Sequence, residues 1–134
     1  MMNYYEKIAS LFLGEKQNKP ILILKADQIP LNHPLDLSLA LFMIELGKPY
    51  QLKTEVIDGN GNLILSSPTP EFSSKNLDAS KFEVLDEKYF SSTFSLTTPI
   101  VHFTSSGAYR LKVTLLSGEE SLDYTNVYFY IDKR

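Results

Sequence analysis

The segment LDLSLALFM, at residues 35–43, gives the strongest indication of the fold. Its odd positions hold large apolar residues that alternate with small or polar ones: Leu35, Leu37, Leu39, Leu41 and Met43, with Asp36, Ser38 and Ala40 between them. Successive side chains of an extended strand point to opposite faces, so the segment predicts a strand with one buried face. Such a face must pack against a second layer of structure.

Three later segments repeat this alternation, at residues 50–57, 109–115 and 127–131. Shorter strands are expected near residues 82–84, 90–96 and 100–103. Seven or eight short strands separated by turn residues indicate an all-β chain. It could form an antiparallel β-sandwich or a closed barrel.

A tight turn is expected between two of these strands. Four consecutive residues tolerate the positive φ angles of hairpin turns, namely Asp58, Gly59, Asn60 and Gly61. We therefore predict a hairpin whose second strand begins near residue 63.

Three other segments are less regular. Residues 66–81 contain two prolines and few apolar groups, which predicts a long loop. Residues 20–25, PILILK, form a continuous apolar run, which predicts a central strand covered on both faces. Five residues near the N-terminus share helical spacing, namely Tyr4, Tyr5, Ile8, Leu11 and Phe12. This spacing favours a short helix within residues 1–16 over a strand.

The composition limits the available chemistry. The 134 residues are 43% hydrophobic and 22% charged, with two His and neither Cys nor Trp. A chain of this length usually forms one domain, so we predict a single domain over residues 1–134. Without a thiol, the sequence excludes disulfides, zinc–thiolate sites and cysteine nucleophiles.

The formal net charge is −3, which argues against binding nucleic acid by neutralising its phosphates. No segment has the pattern of a secretory signal, and none approaches the ~20 apolar residues that span a bilayer. We therefore expect a cytoplasmic protein with no nucleic-acid or membrane partner.

The pair Gly107 and Tyr109 favours the sandwich over the barrel. In immunoglobulin-like domains a tyrosine at the start of such a strand donates a hydrogen bond to upstream backbone, an arrangement called the tyrosine corner. The alternative is that Tyr109 is an ordinary core aromatic.

The chain resembles small bacterial immunoglobulin-like β-sandwich proteins of uncharacterised function. Four motifs carry the resemblance: NKPILI at residues 18–23, Ile29-Pro30-x-x-His33-Pro34 before the Leu-rich strand, YQLxTxVIDxxG at residues 50–61, and GxYRLxV at residues 107–113. The resemblance implies an immunoglobulin-like fold, and it assigns no catalytic residue.

A calcium site is not expected. Asp58, Asn60 and Asn62 have the spacing of the first ligands of an EF-hand loop. The sixth and twelfth positions of that loop require Gly and Glu, but here they are Leu63 and Thr69. We expect a hairpin turn without a metal.

The sequence also contains no convincing arrangement of catalytic residues. His33 lies in a loop and His102 in an apolar strand, and neither has a nucleophile or a second His at metal-binding spacing. Two acidic groups could in principle supply a glycosidase pair, namely Asp78, Glu83, Asp86 and Glu87, and Glu119, Glu120 and Asp123. We interpret both groups as solvated charge, and we expect no enzyme activity and no cofactor.

Three tyrosines near the C-terminus are the most informative candidates for binding. Tyr128 and Tyr130 alternate with apolar residues, so they face outward if their neighbours face the core, and Tyr124 lies nearby. Arg110 and Lys112 are expected beside them. Alternatively, these tyrosines only cover the sheet, or the N-terminal helix covers them. Tyrosine is frequent in interfaces because it buries a large area at little cost in side-chain entropy.

These observations favour a non-catalytic protein-binding or adaptor module. Its partner would be another protein, or a second copy of the chain in a homo-oligomer. A phage or mobile-element protein, either a virion component or an inhibitor of a host enzyme, is the main alternative. A carbohydrate-active enzyme is the second.

Overall fold

The computed structural model describes residues 3–14, 19–77 and 82–134, with Phe82 described by its backbone alone. These residues form eleven strands and one 3₁₀ turn at Ser74–Asn76. The strands are β1 (Lys7–Leu13), β2 (Ile23–Ala26), β3 (Leu31–His33), β4 (Asp36–Glu45), β5 (Gln51–Ile57), β6 (Leu63–Pro68), β7 (Phe82–Leu85), β8 (Tyr89–Thr97), β9 (Val101–Phe103), β10 (Gly107–Ser117) and β11 (Glu120–Lys133).

The strands form two main sheets and a small ribbon. One sheet has the order β1-β4-β8-β7, and the other has the order β2-β11-β10-β5-β6. Strands β3 and β9 form the ribbon. All of the described pairs are antiparallel except that of β2 with β11, which is parallel. The all-β sandwich expected from the sequence is therefore confirmed, with more strands than the seven or eight predicted.

The core lies between the two main sheets. Strand β4 contributes Leu37, Leu39 and Leu41, which are buried as their alternation predicts. The other sheet contributes Leu111 from β10 and Ile131 from β11, which are also buried. Each sheet therefore has one apolar face inside and one outward face that is available for other contacts.

The predicted N-terminal helix is wrong, because this segment is strand β1. It pairs with β4, and the register places Ile8 and Leu11 opposite Leu41 and Leu39. A β-bulge at Ala9 inserts one extra residue between them. Ile8 and Leu11 thus reach the same face at a spacing of three, which in the sequence is indistinguishable from helical periodicity.

The predicted central strand at residues 20–25 is also wrong. Strand β2 is the outer strand of its sheet, and Ile21, Leu22 and Ile23 are exposed by 38%, 65% and 57%. A short apolar run does not distinguish a central strand from an outer one. Its exposed side chains instead contribute to the surface described below.

The segment predicted as a loop from residue 66 begins later. Strand β6 continues to Pro68, which is tolerated because β6 is the outer strand of its sheet. The backbones of Tyr50 and Phe72 then exchange two hydrogen bonds, of 2.7 and 2.8 Å. Residues 78–81 lie outside the described part of the chain.

Within the three described ranges, no helix is long and apolar enough to cross a lipid bilayer.

Candidate functional site: the tyrosine face

Five residues of β10 and β11 form an outward surface that we name the tyrosine face: Arg110, Lys112, Tyr124, Tyr128 and Tyr130. The three tyrosines are exposed by 57%, 65% and 46%. They point outward because Phe129 and Ile131, which alternate with them, are buried in the core. No described residue covers the tyrosines as the predicted helix would have done.

The register of β10 and β11 places the cations among the tyrosines. Arg110 is directly opposite Tyr128, and the Lys112 Nζ lies 4.6 Å from the centroid of the Tyr124 ring. Directly opposite residues on one face of an antiparallel pair are close enough to interact. The face therefore combines flat aromatic surface with two adjacent positive charges.

A buried amide oxygen without a hydrogen-bond partner in the described part of the chain lies between Tyr124 and Tyr128 on β11. The Asn126 Oδ1 is buried, and it has no hydrogen-bond partner among the described residues. Asn126 is opposite Lys112 in the ladder. Sequence reasoning missed this acceptor, because its isolation depends on the packing of neighbouring strands.

A groove of about 390 Å³ runs beside the tyrosine face, between β1 and β11. Its lining includes Leu11 and Phe12 of β1, Leu22 near β2, and Val127 and Tyr128 of β11. Tyr128 thus belongs to both the groove and the tyrosine face. No local sequence pattern predicts this groove, since its walls come from opposite ends of the chain.

Two predicted structural residues support the strand beside the tyrosines. The Tyr109 hydroxyl donates a 2.6 Å hydrogen bond to the Ser105 carbonyl, four residues upstream. Its ring stacks on Phe129 with a centroid distance of 5.6 Å. Gly107 begins β10 with φ +136°, a backbone conformation that favours glycine. Tyr109 therefore joins the loop before β10 to the buried side of β11.

The predicted turn joins β5 to β6. The Asp58 Oδ1 accepts hydrogen bonds of 2.9 Å from the backbone N–H groups of Asn60 and Asn62. Those bonds, with the Asn62 bond contributing most, lower the pKa of the Asp58 carboxyl. Gly59 and Gly61 complete the turn, and the Gly61 φ is +87°. The Asp58 carboxylate therefore stabilises the backbone of its own turn.

The two histidines lie on the ribbon. His33 is in β3 and His102 in β9, and both side chains are exposed. His102 Nδ1 contacts the Asn32 side chain, and His33 Nδ1 contacts the Pro34 carbonyl. In the described ranges, no group of three or more His, Asp and Glu residues could hold a metal ion.

Each acidic group has members in a turn at one end of the sandwich and members on a strand, since Glu120 and Asp123 lie on β11. Asp86 and Glu87 are in the β7–β8 turn, and Glu119 is in the β10–β11 turn. The Leu46 N–H of the β4–β5 turn donates a hydrogen bond to the Lys88 carbonyl in the β7–β8 turn, and the Ser117 hydroxyl at the end of β10 donates one to the Pro49 carbonyl. The Asp123 carboxylate accepts a 2.8 Å bond from the Ile8 N–H. Glu83 lies on β7, and Asp78 is outside the described residues.

Sequence reasoning missed a polar cluster at this end. The Glu6 carboxylate accepts hydrogen bonds from the Lys48 Nζ at 2.6 Å and the Tyr50 hydroxyl at 2.8 Å. The Tyr50 hydroxyl also accepts a 2.7 Å bond from the Glu45 N–H. Burial raises the pKa of Tyr50, and the bond to Glu6 raises the pKa of Lys48. The cluster attaches the start of β1 to the β4–β5 turn.

Comparison with solved structures shows the same fold within larger proteins. A β-glucuronidase from Bacteroides uniformis superposes with a TM-score of 0.55 at 14% identity, over 88% of this chain and 12% of that one. A glycosyl hydrolase family 2 member from Bacteroides cellulosilyticus gives 0.55 at 10% identity, over 92% and 15%. A putative β-galactosidase from Bacteroides fragilis gives 0.53 at 8% identity, over 92% and 17%.

The chain thus spans 12% to 17% of the length of these three structures. At identities this low, the likeness shows the β-sandwich fold alone. No protein-family model matches the chain, and no curated protein matches its sequence.

Proposed function

We propose that the chain is a non-catalytic, immunoglobulin-like module that binds another protein through the tyrosine face. The observation that carries this proposal is the exposure of Tyr124, Tyr128 and Tyr130 on one face of one strand. Tyrosine and arginine are, with tryptophan, the residue types most enriched among the residues that dominate binding energy at protein interfaces. Here Arg110 lies directly opposite Tyr128.

The strand order supports the immunoglobulin-like part of the proposal. Strands β1, β4, β8 and β7 occupy the positions of A, B, E and D, and β11, β10 and β5 those of G, F and C. Tyr109 then lies near the start of strand F, where a tyrosine corner occurs in that fold. Its bond to Ser105 has the expected direction.

The comparison structures are compatible with the module part of the proposal. Each contains a similar sandwich as a small part of a longer chain. A fold of this kind supports many functions, so the site must carry the functional argument. In this chain the exposed tyrosines and cations of the tyrosine face supply that argument.

The test is to capture partners with the purified protein from cells of its source, to identify them by mass spectrometry, and to repeat the binding with purified partner. We expect the double variant Y128S/Y130S to lose the partner while its thermal midpoint stays nearly unchanged. The matched control is Tyr4→Ser, since Tyr4 is 63% exposed and lies outside the face. Binding that survives in Y128S/Y130S would contradict the proposal.

A further inference from the structure

We infer that the tyrosine face recognises an acidic protein segment that carries one bulky apolar side chain, and that this side chain enters the groove between β1 and β11. The inference rests on the proposed function and adds the chemistry of the partner.

Charge is the first reason. The outward face of the five-stranded sheet carries four cations and two carboxylates, namely Lys25, Lys53, Arg110 and Lys112 with Glu55 and Asp132. Lys25 pairs with Asp132 at 2.7 Å. Across the described residues, no ion pair involves Arg110, Lys112 or Lys53. The face is thus positive on a chain whose formal net charge is −3, and a complementary partner is acidic.

Arg110 indicates which kind of negative group the partner carries. A guanidinium binds a carboxylate through two parallel hydrogen bonds, and such bonds are stronger than those between neutral groups. Because Arg110 lies opposite Tyr128, an aromatic ring is available beside the bound carboxylate. This pairing favours Glu or Asp in an ordered segment over a diffuse negative charge.

The groove is the second reason. Its volume of about 390 Å³ accommodates a large side chain, and its walls at Leu11, Phe12, Leu22 and Val127 are apolar. An aromatic or long aliphatic side chain that entered the groove would remove its own apolar surface and that of the groove walls from water.

The distance between Arg110 and the groove also sets the spacing between the acidic residue and the apolar side chain of the partner. Arg110 is on β10 and the groove lies on the opposite side of β11, so the two are separated by about two strand spacings, roughly 10 Å. An extended chain covers that distance in about three residues. The recognised segment therefore has an acidic residue about three positions from its apolar anchor.

The test is selection from a random-peptide display library on the immobilised protein, followed by affinity measurement of the enriched peptides. We expect enriched peptides to be acidic, with one large apolar residue, and to bind R110S/K112S and Leu22→Ser about tenfold more weakly. Leu63→Ser, an exposed leucine on β6, and Lys75→Ser are the matched controls and should bind normally.

Enrichment of neutral or basic peptides, no enrichment, or equal binding by R110S/K112S would overturn the inference. A polyglucuronate chain is acidic but is not a protein, and if it bound more tightly than the enriched peptides the inference would be overturned. Concentration-dependent dimerisation that R110S/K112S abolishes would also overturn it, because the partner would then be a second copy of the chain. If neutral peptides are enriched but fail to bind Y128S/Y130S, the inference fails while the proposed function stands. The proposed function fails separately if Y128S/Y130S retains the captured partner.

Discussion

The Lys112 Nζ lies 4.6 Å from the centroid of the Tyr124 ring, on the outward side of the β10–β11 ladder. A cation over an exposed aromatic ring contributes about 0.5–1 kcal/mol. The contact restricts both side chains before any partner arrives. Tyr128 and Tyr130 lie on the same face of β11, whose backbone is paired with β10. Because tyrosine has only two side-chain torsions, ordering these rings on binding costs little entropy.

Replacing Tyr109 by Phe should lower the free energy of unfolding by about 1 kcal/mol. The variant keeps the ring that stacks on Phe129 but loses the hydroxyl that donates to the Ser105 carbonyl at 2.6 Å. Urea denaturation measures the effect. Tyr4→Phe, at an exposed position, is the control and should change stability by less than about 0.5 kcal/mol. Equal stability of wild type and Tyr109→Phe would show that the bond adds nothing.

Replacing Gly107 by Ala should destabilise the protein by about 1–3 kcal/mol through backbone strain. An added Cβ would meet no atom within 4 Å, but the φ of +136° is unfavourable for alanine. Gly59 is the matched control, because its φ is not positive and an added Cβ would lie 3.4 Å from the Ala108 carbonyl. Thermal denaturation of Gly107→Ala and Gly59→Ala measures the two losses of stability. A larger loss of stability in Gly59→Ala than in Gly107→Ala would contradict the prediction.

Alternation predicted those strands that have one buried and one exposed face. Strands β5, β10 and β11 are of this kind, and the outward direction of Tyr128 and Tyr130 follows from the same rule. In β4 the rule holds for Leu37, Leu39 and Leu41, although Ser38 between them is buried too. It fails at Met43, because a register shift after Leu41 makes Ile44 the buried residue. The bulge at Ala9 broke the rule in β1. The position of β2 at the edge of its sheet depends on pairing with the far end of the chain, which a local pattern does not encode.

Replacing Tyr50 by Phe should cost about 1–3 kcal/mol near neutral pH, because the Glu45 N–H loses a buried acceptor. The cost should shrink in alkali. Burial raises the pKa of folded Tyr50 above its ordinary value of 10.0, so above pH 10 the unfolded state releases this proton first. The free energy of unfolding of the wild type therefore falls as pH rises.

Urea denaturation at a series of pH values from neutral to alkaline checks this prediction. The raised pKa of Lys48 also lowers the free energy of unfolding above pH 10.5, but Lys48 is present in the wild type and in Tyr50→Phe alike. The wild type should thus lose stability more steeply above pH 10 than Tyr50→Phe does. Parallel curves for the two proteins would contradict the prediction.

The Asp58 carboxyl should titrate below its ordinary value of 3.8, since backbone N–H groups of its own turn stabilise the charged form. Its stabilising contribution is present above that value and is lost as pH falls below it. NMR titration of the side-chain carbon measures this pKa. Because the Asp58 oxygens already accept bonds from Asn60 and Asn62, added calcium should leave the signals of this turn unchanged. A saturable calcium shift would contradict that expectation.

The candidate site was only partly predictable. Its tyrosines and both cations follow from residue type and alternation. The groove between β1 and β11, the Asn126 Oδ1 that is unpaired among the described residues, and the cluster of Glu6, Lys48 and Tyr50 do not. Each of these joins residues that are distant in sequence, and only the packing of the two sheets brings them together.

Covalent footprinting of tyrosines in the partner complex tests the central claim most directly. In the free protein, Tyr4, Tyr124, Tyr128 and Tyr130 are all exposed and should be labelled. We predict that saturating partner strongly reduces the labelling of Tyr128 and Tyr130 while Tyr4 is labelled as before. Unchanged labelling of Tyr128 and Tyr130 in the saturated complex would contradict binding through the tyrosine face.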